Sequence, residues 1–123
     1  MLADYEYTLT ETECIITGLK NKSVTEIVIP DGVTSIAPYA FKNCEDLISV
    51  VISASVTSIG AYAFEDCYSL EEIIFEDTNT WYKTYNASDW ENKTGGEEES
   101  FTDTERNIRF FVENCSHYNV YKL

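Results

Sequence analysis

An internal repeat constrains this chain more than any other feature. The segment Val33-Thr34-Ser35-Ile36-Ala37-Pro38-Tyr39-Ala40-Phe41-Lys42-Asn43-Cys44 returns as Val56-Thr57-Ser58-Ile59-Gly60-Ala61-Tyr62-Ala63-Phe64-Glu65-Asp66-Cys67, with 8 of 12 positions identical at an offset of 23 residues. The same offset aligns Leu47, Val50 and Ile52 with Leu70, Ile73 and Phe75. Run backwards, it aligns them with Val24, Ile27 and Ile29. Three strand-like copies and two complete turns of a stack are visible. Self-similarity at such a period is the mark of repeat architectures, in which no unit buries its own apolar edges and stacking supplies the core.

Within one repeat, alternation assigns the faces. In Leu47-Ile48-Ser49-Val50-Val51-Ile52-Ser53, Val50 and Ile52 point one way, while Ser49, Val51 and Ser53 point the other. Leu47 fills the core at the strand's entry. The following Val-Thr-Ser-Ile unit is short and β-branched, predicting a second extended segment that inserts Val56 and Ile59. Gly60 is expected to permit a tight turn, and Ala61 to Cys67 to form a helical turn or slightly more, with Ala63, Phe64 and Cys67 inward.

This pattern resembles the BspA-type leucine-rich repeat, I-P-x-x-V-T-x-I-G-x-x-A-F-x-x-C-x-x-L. Ile29-Pro30-Asp31-Gly32-Val33-Thr34-Ser35-Ile36, Ala40-Phe41, Cys44 and Leu47 carry the likeness, repeated by Val56-Thr57-Ser58-Ile59-Gly60, Ala63-Phe64, Cys67 and Leu70. Ala37 stands at the glycine position of the first copy and Ser53 at the proline position of the second, without disturbing the core pattern. The expected fold is an α/β repeat solenoid, predominantly β: a short leucine-rich-repeat stack of 23-residue period with β-rich caps. It forms one domain over residues 1–123, with repeats at 24–76, an N-terminal cap at 1–23 and a C-terminal cap at 77–123.

Both ends of a short stack need protection from water and from edge-to-edge pairing. Tyr5, Tyr7 and Leu9, then Cys14 and Ile16, alternate with polar residues and read as a β-hairpin. Beyond Asp77 the repeat register fails. Thr80 to Thr84 reads as a further strand, with Trp81 as an apolar lid. Asn86 to Thr104 is polar and acidic and reads as an exposed, mobile loop. Ile108 to Val112 and Tyr118 to Leu123 are β-prone and are expected to pair in the closing cap. Trp81-Tyr82 and Tyr118-Asn119-Val120-Tyr121-Lys122 resemble the aromatic run with which the family often ends, which implies a natural C-terminus.

A formal net charge of −14, from 22 acidic and 8 basic residues, repels phosphate backbones and argues against nucleic acid as a partner. It keeps the chain soluble and suits a basic protein. No apolar run is long enough to span a membrane, so no membrane insertion is expected. Met1 to Glu6 lacks the basic and apolar parts of a signal peptide, which leaves either retention inside the cell or a targeting segment already removed.

Catalytic chemistry finds little to build on. His117 is the sole histidine and reads, with Cys115 and Ser116, as a cap residue. Cys14, Cys44, Cys67 and Cys115 form no close pair of the zinc-binding kind. Cys44 and Cys67, one repeat apart, are expected to be reduced and structural, with a disulfide or a metal as alternatives. Glu71-Glu72 and Glu97 to Glu99 read as solvated charge, and Gly95-Gly96 as no phosphate loop. Sequons begin at Asn21, Asn86, Asn92 and Asn114. No cofactor, metal or enzymatic activity is expected.

Function is expected on the strand face turned from the core. Stacking aligns Glu26, Ser49 and Glu72; beside them run Val28, Val51 and Ile74, and then Pro30, Ser53 and Glu76. An apolar ladder rimmed by acid has the composition of an interaction patch. The competing explanation is that β-branched residues are merely good strand formers. Three functions follow. One is a protein-binding module using this face; the resemblance implies cell-surface or secreted proteins that bind host matrix or surface proteins. The second is a small acidic intracellular inhibitor or immunity-type protein with a basic partner. The third is a self-assembling structural unit.

Overall fold

The computed structural model describes residues 2–114 and 117–123, and the side chains of all of these but 113 and 114. Cys115, and with it the sequon at Asn114, lies outside the described residues. A single 3-10 turn, Leu2–Asp4, leads into a hairpin of β1 (Tyr5–Leu9) and β2 (Cys14–Leu19). The chain then crosses between two sheets through β3 (Glu26–Val28), β4 (Ser35–Ile36), β5 (Ser49–Ile52), β6 (Ser58–Ile59) and β7 (Glu72–Phe75). It ends with β8 (Trp81–Thr84), α1 (Ala87–Asn92), β9 (Glu97–Glu99), α2 (Thr104–Ile108), a π-helical extension over Arg109–Asn114, and β10 (Asn119–Tyr121).

The odd-numbered repeat strands form a three-stranded parallel sheet in the order β3-β5-β7. The others join a seven-stranded sheet, β1-β2-β4-β6-β10-β8-β9. In the small sheet Ile27, Val50 and Ile73 stand in register; in the large one Ile16, Ile36 and Ile59 do. These six are buried, as are Val33, Val56, Phe41, Phe64, Leu47 and Leu70, which fill the space between the sheets. Each such side chain stabilises the fold by about 1.5–3 kcal/mol. The result is a β-rich repeat whose core runs along the stack; in the N-terminal hairpin Tyr5, Cys14 and Ile16 are buried, whereas Tyr7 and Leu9 of the expected alternation are exposed.

The connections from β4 to β5 and from β6 to β7 are not the expected helical turns. Tyr39 and Asn43 in one, Tyr62 and Asp66 in the other, adopt left-handed backbone with φ of 61–64°. A left-handed residue interrupts a right-handed helix, so each connection is a run of tight turns with bonds such as Cys67 N–H to Phe64 O (3.2 Å). Neighbouring repeats hold these turns in place. Tyr39, Phe41 and Asn43 donate their N–H groups to Ala61, Ala63 and Glu65 carbonyls at 2.8–3.2 Å. The rings of Tyr39 and Tyr62 stack at 5.2 Å and those of Phe41 and Phe64 at 5.4 Å. Ala63, Phe64 and Cys67 do face inward. Gly60 serves a close approach: a Cβ there would lie 2.3 Å from Pro38 N of the preceding repeat.

Two expectations for the C-terminal region are overturned. Residues 86–104 hold a helix and a strand where an open loop was expected. Asn86 caps α1, accepting Asp89 N–H, and Trp90 Nε1–H donates to Val120 O at 3.0 Å. In β9 the half-buried Glu99 meets Lys83 at 3.2 Å and Arg106 at 2.9 Å, and Phe101 is buried. The stretch 108–112 is helical, not a strand. Asp103 caps α2, while Phe110 and Phe111 drop onto Phe101 from one side of the helix. A buried Asn107 bonds Ile73 O (2.7 Å) and Phe101 O (3.0 Å), which fixes helical spacing over β-propensity. β10 does pair, with β6 and β8.

Candidate interaction surface

The outer face of the small sheet brings the anticipated residues together. Val28, Val51 and Ile74 stand directly opposite one another, Val28 62% and Ile74 42% exposed with Val51 half-buried between them. Along one side lie Glu26, Ser49 and Glu72; Glu26 is exposed, while Ser49 Oγ–H donates to Glu72 Oε1 at 2.8 Å. Ser49 and Glu72 thus satisfy each other and form a paired polar rim. On the other side Glu76 is exposed and Pro30 half-buried.

Ser53 does not belong to the accessible face. It is 4% exposed, its hydroxyl donating to Pro30 O at 3.2 Å and sharing a 3.0 Å bond with Ser55 Oγ. Standing where the repeat pattern has proline, it ties two repeats together just past the end of β5.

Sequence reasoning missed three features that depend on distant contacts. Lys122 is buried, 7% exposed, its ammonium donating to Ala54 O at 2.8 Å and pairing with Asp77. The Lys122 ammonium, with Asn79 N–H, holds the Asp77 carboxyl below the usual carboxylate range. The second is a cleft of about 400 Å³ between α1 and the large sheet, where Trp90 faces Ile15, Ser35 and Ser58. The third is the unfinished edge of β3, where Tyr5 Oη–H donates to Val28 O at 3.0 Å. Burial, and then the neighbouring Asp4, push the Tyr5 phenol up.

The thiols are internal. Cys14, Cys44 and Cys67 are free and buried, and Cys67 Sγ–H donates to Phe41 O at 3.0 Å. Hydrogen bonding with Cys44, and then burial, push the Cys67 thiol far above its ordinary range, so it stays protonated. His117 stacks on Tyr85 at 5.0 Å with Nε2 3.2 Å from its hydroxyl. Among the described residues no helix is long and apolar enough to cross a membrane.

The repeat register on both sheets invites comparison with known families. The family model described as BspA type Leucine rich repeat region (6 copies) matches residues 17–116. This chain belongs to that family. Among solved structures, the BspA-type chain is similar to a T. pallidum leucine rich repeat protein, at 33% identity and a TM-score of 0.55 over 60% of this chain. It spans 37% of that protein's length. A leucine rich cell surface protein from Faecalibacterium prausnitzii A2-165 shares 38% identity over 46% of this chain and 15% of its own, at a TM-score of 0.44. No curated protein gives a significant match. Leucine-rich-repeat proteins generally mediate protein–protein interaction or adhesion and are typically non-catalytic binding modules.

Proposed function

We propose that this BspA-type chain is a non-catalytic, adhesion-type protein-binding module acting through the outer face of its small sheet. In this reading it is a short solenoid of 23-residue repeats over 24–76, with caps at 1–23 and 77–123, in a cell-surface or secreted setting. One observation carries the proposal: Val28 and Ile74 remain 62% and 42% exposed while held in register with Val51 by strand pairing. Apolar side chains so presented are preorganised, and covering them costs a partner little ordering entropy. Glu26 and Glu76 at the margins supply an acidic rim, and Ser49 with Glu72 a self-satisfied one.

The test replaces Val28, Val51 and Ile74 together by Lys and compares both proteins on immobilised host extracellular matrix. Binding should fall by at least about tenfold, since central apolar anchors dominate an interface, with little change in thermal unfolding. Retention on the matrix by the triple variant removes this face from the reading.

The net charge of −14 favours a second reading, a basic protein partner met through Glu26, Glu72 and Glu76. That complex should weaken steeply as salt rises through about 0.2 M, where screening falls to about 8 Å or less. A salt-insensitive complex counts against it.

A further inference from the structure

The two edges of the small sheet are finished differently. At β7, α2 stands in for a fourth strand: Ile73 N–H donates to Thr104 Oγ1 at 3.1 Å, and Ile73 O accepts Asn107 Nδ2 at 2.7 Å. At β3 the ladder is one-sided. Ile29 N–H donates to Val51 O (2.9 Å) and Thr25 O accepts Ile48 N–H (2.7 Å), so Thr25, Ile27 and Ile29 turn their backbone groups toward β5. Alternation along a strand turns Glu26 and Val28 the other way. Val28 O is taken by the Tyr5 hydroxyl, and Pro30 has no N–H. Among the described residues nothing takes up Glu26 N–H, Glu26 C=O or Val28 N–H, which lie along a cavity of about 370 Å³ lined by Tyr5, Leu19, Val24 and Ile27, with Asp4 and Glu26.

We propose that this edge accepts an extended segment of a partner protein, one apolar side chain entering the cavity and flanking basic side chains meeting Asp4 and Glu26. The proposal deepens the protein-binding reading above and rests on it. An added strand gains its affinity from main-chain hydrogen bonds and its selectivity from side-chain pockets; this edge offers outward main-chain groups and one such cavity. Charge selects the occupant. A chain of net charge −14 draws basic segments to an acidic rim. A second copy pairing β3 with β3 would bring its own Glu26 to the same rim, and like charges across a strand pair are destabilising. Pro30 ends the ladder, so the docked stretch is short and its affinity modest.

Amide hydrogen exchange on the full chain tests this, with the acetylated, amidated pentapeptide lysine-valine-lysine-valine-lysine as probe. At saturation the Val28 and Glu26 amides should exchange at least about tenfold more slowly, because only the peptide-bound form protects them. The same peptide N-methylated at its central residue, or with glutamate for lysine, should give no protection. Unchanged exchange at Val28, equal protection by the glutamate peptide, or protection that grows with protein concentration alone would each overturn the proposal. Val28→Pro removes the outward N–H while sparing the bonds to β5, and should abolish peptide binding. The N-methylated peptide makes the same test on unaltered protein. Val51→Lys with Ile74→Lys separates the two readings: the edge should keep its peptide protection while the outer face loses its partner.

Discussion

Replacing Gly60 by Ala should destabilise the fold although it adds only a methyl group to a buried position. Built on the observed backbone, that carbon lies 2.3 Å from Pro38 N and 2.5 Å from both Pro38 Cδ and Cγ. Optimal separation is about 3.5–4.0 Å, so relief requires roughly 1 Å of movement between backbones. Those backbones are fastened beside the clash: Gly60 N–H donates to Ile36 O at 2.8 Å and Tyr39 N–H to Ala61 O at 3.2 Å. Overpacking of this kind costs about 1–3 kcal/mol, and stretching a hydrogen bond adds up to about 1 kcal/mol. The stiffer unfolded chain returns about 0.4–1 kcal/mol. The net loss is about 1–3 kcal/mol, which for a domain of this size lowers the midpoint by about 3–12 °C.

Thermal and urea unfolding followed by circular dichroism measure the loss. The reciprocal change at the equivalent position, Ala37→Gly, should cost only about 0.5–1 kcal/mol, the penalty of backbone freedom alone. Pro38→Ala in the Gly60→Ala background removes the ring carbons but not the nitrogen, and should recover part of the loss. A Gly60→Ala protein as stable as the parent, with an unchanged urea slope, would refute the close-approach account.

Lys122→Met should cost about 1–3 kcal/mol, measured by urea unfolding, because Ala54 O and Asp77 lose their buried donor. Because Asp77 has a folded pKa below its unfolded one, its contribution is full above the unfolded value of about 4 and lost as pH falls through the folded one. Asp77→Asn should therefore flatten the fall in midpoint below about pH 4. Asn107→Ala should cost about 2–4 kcal/mol by stranding the carbonyls of Ile73 and Phe101, and should raise the exchange rate of the Ile73 amide. Iodoacetamide at pH 8 should leave Cys67 unmodified in the native protein and label it promptly in urea, as mass mapping would show; native labelling would contradict the raised thiol.

What was legible in the sequence is what recurs locally. Val50 and Ile52, or Ile59 with Val56, announce inward strands because period-two alternation needs no knowledge of distant residues. Val28, Val51 and Ile74 could be placed in one row because a fixed offset stacks equivalent side chains. The turns are not legible because Tyr39 and Tyr62 are poor candidates for left-handed backbone; cross-repeat hydrogen bonds such as Tyr39 N–H to Ala61 O brace them there. Likewise β-propensity at 108–112 yielded to the Asp103 cap and to Asn107, whose partners lie up to 34 positions away. The composition of 86–104 suggested an open loop, and Trp90 bonding Val120 across 30 positions gave it order. Ser53 alternates outward on paper, but its hydroxyl found Pro30 and Ser55.

The parallel registers of the two sheets carry a consequence for length. In the paired strands each repeat offers its successor backbone donors and acceptors in the register it received, so a duplicated unit inserted between Leu47 and Leu70 is expected to stack in the same way. The molecule can thus grow in fixed steps of about 4.8 Å, one strand spacing at a time. The N-terminal hairpin and the α2 closure would only be carried further apart. If the proposed outer face binds, its reach is adjustable in this sense: its extent follows the number of stacked strands.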